Sequence, residues 1–114
     1  MSEDCQAITV QNLLGDIRPA EKDESFGTIL DRPGLRIERI VSHGHSTPIG
    51  QPYQQTEDEW VMVVEGAARL WLEGTGEVEL GRGDHLLIPA GLRHRVTWTT
   101  PGEPTVWLAV HIDR

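Results

Sequence analysis

The chain has little of several things, and each scarcity excludes something. Its 114 residues include one cysteine, Cys5, which cannot close an intrachain disulfide. A chain of this length can bury a core without such staples. Lysine is almost absent: Lys22 stands alone among ten basic residues, the rest being arginine, which favours fixed, forked contacts with carboxylates or phosphates. Against them stand 18 acidic residues and a formal charge of −8. A chain this acidic repels phosphate, which argues against nucleic acid as a partner. No apolar run reaches the length of a membrane span. The opening residues, MSEDCQ, lack the basic and apolar regions of a secretory signal. Together these absences predict a cytoplasmic, single-domain protein that engages neither membrane nor nucleic acid.

Helical periodicity is scarce too, which disfavours a parallel α/β fold. Residues 1–34 are the least regular part and are expected to form an arm packed on the rest, 35–114. Within the arm, EKDESFGTIL (21–30) predicts a short helix with Phe26, Ile29 and Leu30 on one side. Gly27 weakens that helix by about 1 kcal/mol relative to alanine.

What is present is a series of short apolar runs divided by glycine and proline. LRIERIVS (35–42), EWVMVVE (59–65), AARLWLE (67–73), EVEL, HLLI, HRVTWT and TVWLAVHI read as strands. Their spacing predicts an all-β sandwich or barrel. On the last strand the face with Val106, Leu108, Val110 and Ile112 reads as the core face. Thr105, Trp107, Ala109 and His111 make the other. Residues 43–58, HGHSTPIGQPYQQTED, form a long polar loop, a feature that is usually functional or mobile.

Two stretches carry candidate chemistry. In EWVMVVEG, Glu59 alternates with Val61 and Val63, so if those face inward Glu59 stands at the strand's mouth. A carboxylate there needs a partner, water or a cation. Counting back, Gln55 and Tyr53 share its side. In GDHLLIPAGLRH (83–94), His94 begins a face with Val96 and Trp98, again at a mouth, and Trp98 would narrow the pocket. Arg93 and Arg95 alternate away from His94. His43 and His45 read as a solvated loop, and His85 as a rim or outer-face residue.

GDHLLIPAGLRH resembles the second motif of the cupin superfamily, Gly, five residues, Pro, one residue, Gly, two residues, His. Gly83, Pro89, Gly91 and His94 fill those places, while Trp98 stands where the motif ends in asparagine. The first cupin motif is His-x-His, three or four residues, Glu, six residues, Gly. Glu59 and Gly66 match its second half, and its histidine places fall on Tyr53 and Gln55. The stretches NLLGDI, RIERIVSHGH, DEWVMVVEGAARL and HRVTWT extend the likeness to a subgroup of small single-domain cupins of unassigned function.

The resemblance implies a jelly-roll barrel, a double-stranded β-helix, with a short irregular or helical N-terminal segment. It implies a divalent metal, Fe, Mn, Zn or Ni, bound by Glu59 and His94 with Gln55 completing the sphere. Tyr53 would act as acid/base or orient a substrate in a small-molecule isomerase or oxygenase. His43, His45 and His111 are further candidate ligands. The alternative is a metal-free barrel that binds a small polar or sugar-like molecule through the same side chains. A homodimer is expected in either case.

Overall fold

The computed structural model describes residues 7–17, 24–47 and 53–113. Eight strands run in order: β1 (Ser25–Arg32), β2 (Leu35–Ser42), β3 (Asp58–Glu65), β4 (Ala68–Leu72), β5 (Gly76–Leu80), β6 (His85–Ile88), β7 (His94–Thr99) and β8 (Thr105–Ile112). They form a five-stranded sheet, β1-β2-β8-β3-β6, and a three-stranded sheet, β5-β4-β7. All the pairings are antiparallel. No helix among the described residues is long and apolar enough to cross a membrane.

Alternation decides which residues meet between the sheets. Val61 and Val63 from β3 and Trp107 and Ala109 from β8 face Leu70 and Leu72 from β4, with Leu80 and Ile88 closing the cluster. This core fills one end of the barrel. Toward the other end the same inward faces turn polar, at Glu59 on β3, His94 on β7 and His111 on β8.

The helix expected over 21–30 is not there. Residues 25–30 belong to β1, and 21–23 lie outside the described residues. The register of β1 on β2 slips between Thr28, opposite Glu38, and Leu30, opposite Ile37. That bulge inserts Ile29 as an extra residue. It gives Phe26, Ile29 and Leu30 the i, i+3, i+4 spacing of a helix without being one.

The core face of β8 is also the reverse of expectation. Thr105, Trp107, Ala109 and His111 are buried, and Ile112 is exposed. Both faces of this central strand are apolar enough to be buried, so composition alone misassigns them. The polar residues on the inner face find partners nearby, except that His111 Nδ1 is buried without a hydrogen-bond partner among the described residues. The Thr105 hydroxyl donates to the Ala67 carbonyl (3.3 Å), and His111 Nε2 meets Glu38 Oε1 (3.0 Å).

Candidate functional site

The segment around 53–58 and the turn after β6 hold each other. Tyr53 and His94 exchange backbone hydrogen bonds, 2.7 Å and 3.0 Å, as an isolated bridge. The Gly91 N–H donates to the Gln55 carbonyl (2.7 Å), and the Gln54 side-chain amide donates to the Gly91 carbonyl (3.0 Å). The Ala90 N–H donates to Asp58 Oδ1 (2.8 Å). Gly83 and Gly91 take φ of 88° and 84°, the left-handed region that glycine alone enters freely. The motif glycines therefore bend the chain so that His94 arrives beside Tyr53 and Gln55.

These side chains line one cavity of about 120 Å³, large enough for several waters or a small molecule. Glu59 is 8% exposed and His94 4%. The Gln55 amide donates to Glu59 Oε1 (2.9 Å), and His94 Nε2 stands 3.7 Å from the same oxygen. His94 Nδ1 lies 3.0 Å from the Leu92 carbonyl. A carbonyl only accepts, so Nδ1 carries a hydrogen and Nε2 is the ring nitrogen that faces Glu59. Tyr53 is 42% exposed, its ring 5.7 Å from that of His94. Burial, the Glu24 charge and, less strongly, the Glu59 charge hold its phenol above the usual tyrosine range, against an opposing hydrogen bond from Thr47. Tyr53 is thus a neutral O–H donor at the rim.

The structure therefore brings Tyr53, Gln55, Glu59 and His94 together, as the spacing predicts. Other expected residues lie elsewhere. A bulge in β7 opposite Arg69 and Leu70 puts Val96 across from Leu70 but Trp98 across from Arg69. Trp98 thereby swings to the outer face, where Arg69 lies 5.0 Å over its ring, and it does not narrow the pocket. Arg95 lies over Trp71, and Arg93 is exposed. His85 is exposed and accepts from the Trp60 indole (3.3 Å). The His43 N–H donates to His45 Nδ1, the Thr99 hydroxyl donates to the His45 carbonyl, and neither histidine lines the cavity.

Several lining residues escape a motif-based reading, Glu24, Phe26, Glu38 and Trp107, whereas His111, a candidate from the sequence, is on the lining. His111 is opposite Glu59 in the β3–β8 register and opposite Arg36 in β2–β8, so the three form one row across the sheet. Arg36 pairs with Glu38 (3.6 Å) and Glu57 (3.4 Å), and His111 Nδ1 stands 3.7 Å from Glu57. The signal was present in RIERI, where Glu38 alternates with the inward Ile40.

The donor set falls short of a centre built on every motif place, with histidines at 53 and 55 beside Glu59 and His94. Two imidazole places hold a neutral phenol and an amide whose N–H already faces Glu59. The nearest additional imidazole, His111, is tied to Glu38. Among the described residues no group of three or more His, Cys, Asp or Glu converges as a metal-holding cluster. These residues do not fit the full four-ligand centre.

Comparison with known proteins agrees with the fold. The cupin domain family matches residues 38–111, and the chain belongs to that family. A protein of Ralstonia eutropha JMP134, provisionally named a mannose-6-phosphate isomerase, is 49% identical over 94% of this chain and 100% of its own, with a TM-score of 0.90. The protein TT1209 of Thermus thermophilus is 17% identical, covering 94% and 99%, with a TM-score of 0.77. A cupin superfamily protein of Desulfitobacterium hafniense is 15% identical, covering 86% and 84%, with a TM-score of 0.72. The last two share the fold alone. No curated protein matches the chain significantly.

Proposed function

We propose that this cupin binds a small polar molecule at the inner polar end of its barrel, and that it does so without a resident metal ion. Glu59 and His94 would contact the ligand and exchange protons with it, with Tyr53 donating from the rim. One observation carries this reading. The buried Glu59 carboxylate takes its hydrogen bond from the Gln55 amide, in the place where the family has a metal-bound imidazole. A carboxylate satisfied in this way, beside the Nε2 of an imidazole, suits general acid–base work.

A second reading is favoured by one feature of His94. Its Nδ1–H is held by the Leu92 carbonyl, an arrangement common in metal-ligating histidines. On that reading Fe, Mn, Zn or Ni binds Glu59, His94 and the Gln55 carbonyl, after Gln55 turns over, and serves an isomerase or oxygenase. The provisional name of the Ralstonia protein supports the isomerase alternative. Elemental analysis of tag-free protein purified without chelators separates the two. Absence of metal, even after incubation with each ion, is expected. Near-stoichiometric metal that disappears in His94→Ala would reverse the order of the readings.

The chain is also proposed to work in the cytoplasm as a homodimer. Arg39 anchors the N-terminal arm through the carbonyls of Leu13 (3.1 Å) and Gly15 (2.5 Å). Beyond that anchor, Ile8 and Val10 are 97% and 93% exposed at alternate positions. A second copy would cover them. Light scattering of Ile8→Asp with Val10→Asp is expected to give a monomer.

A further inference from the structure

The cavity has more acceptors than donors. The Ser42 hydroxyl is committed to Glu24 and the Gln55 amide to Glu59. The Trp107 indole donates to Ser42 (3.3 Å). What remains unengaged on the lining among the described residues is the second oxygens of Glu24 and Glu59, His111 Nδ1, which is buried without a hydrogen-bond partner, and His94 Nε2. Among the described residues that nitrogen accepts no hydrogen bond, although its ring is buried and lines the cavity. The Tyr53 hydroxyl and the second N–H of the Gln55 amide are the remaining donors on the lining among the described residues.

The charge is equally one-sided. Glu24, Glu38 and Glu59 line the cavity, and no arginine or lysine does so among the described residues. Glu38 is compensated by Arg36 and His111. Arg39 is turned away to the arm carbonyls. Glu24 and Glu59 have no lysine or arginine partner among the described residues. The same two carboxylates oppose ionisation of the Tyr53 phenol, so their field reaches the rim. Phe26, Tyr53 and Trp107 add aromatic surface, and aromatic faces attract cations.

Resting on the ligand-binding reading above, we propose that the ligand is a small organic cation: an amine whose ammonium is held by Glu59 in a wall that Glu24 also makes acidic. A phosphorylated sugar is the opposite case. It brings acceptors and negative charge to a lining that already has a surplus of both. The carboxylates are spread over the wall instead of converging on one point, which suits an extended cation better than a metal ion.

The test compares two molecules of nearly equal size. 3-Amino-1-propanol and 1,3-propanediol differ by an ammonium in place of a hydroxyl. Binding to the full chain is followed by backbone amide NMR titration, with mannose, mannose 6-phosphate and Mn²⁺ as further arms. The amine is expected to bind at least about tenfold more tightly than the diol, since charge-assisted hydrogen bonds are roughly twice as strong as neutral ones. Glu24→Gln and Glu59→Gln, both close to isosteric, should each remove most of that preference. Equal binding of amine and diol, or tighter binding of mannose or its phosphate, overturns the cation proposal and leaves the ligand-binding reading standing. A preference for Mn²⁺ over the amine overturns it in favour of the metal centre. Shifts with none of the probes overturn both the cation proposal and the ligand-binding reading.

Discussion

Replacing Gln55 by glutamate tests the floor of the cavity with almost no change in shape. Gln55 Nε2 lies 2.9 Å from Glu59 Oε1, so Gln55→Glu sets a second carboxylate where an N–H donor stood. Two full charges at that separation repel by about 6 kcal/mol at an effective dielectric of about 20. The pair escapes by holding one proton between them. Keeping one carboxyl protonated at pH 7, against an ordinary value near 4.3, costs about 3.7 kcal/mol. That is less than the repulsion, so it sets the ceiling on the penalty. The sign follows from linkage. The upper member of the pair has a folded-state value raised above its unfolded value. Between the two values the folded chain binds more protons, and stability falls as pH rises. Below about pH 4 the upper member of the pair is mostly protonated in the unfolded chain as well, and the penalty largely vanishes. Urea denaturation of both proteins should therefore show a gap of about 1 kcal/mol or less near pH 5, growing to as much as about 3.7 near pH 7. A gap that stays constant across that range would mean that Gln55 and Glu59 do not meet, and the proposed floor of the site would be wrong.

Tyr53 is the only tyrosine in the chain, so near-ultraviolet absorbance reports its ionisation alone. Burial, Glu24 and Glu59 raise it, so its midpoint should lie above 10.0 in the folded protein and return to that value in urea. Its contribution to stability should accordingly be lost as pH climbs through the raised midpoint, and a folded midpoint at or below the ordinary value contradicts the acidic cavity. Gly66 takes φ of 88°, and a Cβ there would lie 2.7 Å from Thr105 Oγ1 and 2.9 Å from its Cα. Gly66→Ala should cost about 2 kcal/mol or more by denaturant midpoint, and a neutral result would place the β3–β4 turn differently. Trp107→Ala should cost about 3–5 kcal/mol and open the cavity wall. Trp98→Ala, on the outer face, should leave 3-amino-1-propanol affinity unchanged, and a loss there would return Trp98 to the pocket.

Local turns were legible in the sequence, and register was not. Gly83, Pro89, Gly91 and His94 lie within twelve consecutive residues, and the backbone angles that aim His94 belong to those residues themselves. Glu59 was legible for a similar reason: it shares uninterrupted alternation with Val61 and Val63. Where alternation is interrupted, the reading failed. One bulge in β1 imitated a helix, and one in β7 sent Trp98 outward. A bulge is set by how two strands pair, so the single strand carries little sign of it.

The second half of the cavity depends on register over long range. Glu38 and His111 are separated by 73 residues and meet because β2 pairs with β8. No spacing rule joins residues that far apart. The polar row of Arg36, His111 and Glu59 crosses three strands, and nothing local to Arg36 or His111 shows that they line up with Glu59. Local motifs thus located the half of the site that resembles a metal centre. The half that makes the cavity acidic came from β2, β8 and the residue just before β1. The two halves point to different ligands. Motif residues alone suggest a metal with donors missing, whereas the complete lining offers carboxylates and aromatic faces to a single small cation. Because the cation proposal rests on Glu24 as much as on Glu59, Glu24→Gln separates the two ligands. It should weaken an amine, and it should leave untouched any metal held by Glu59 and His94.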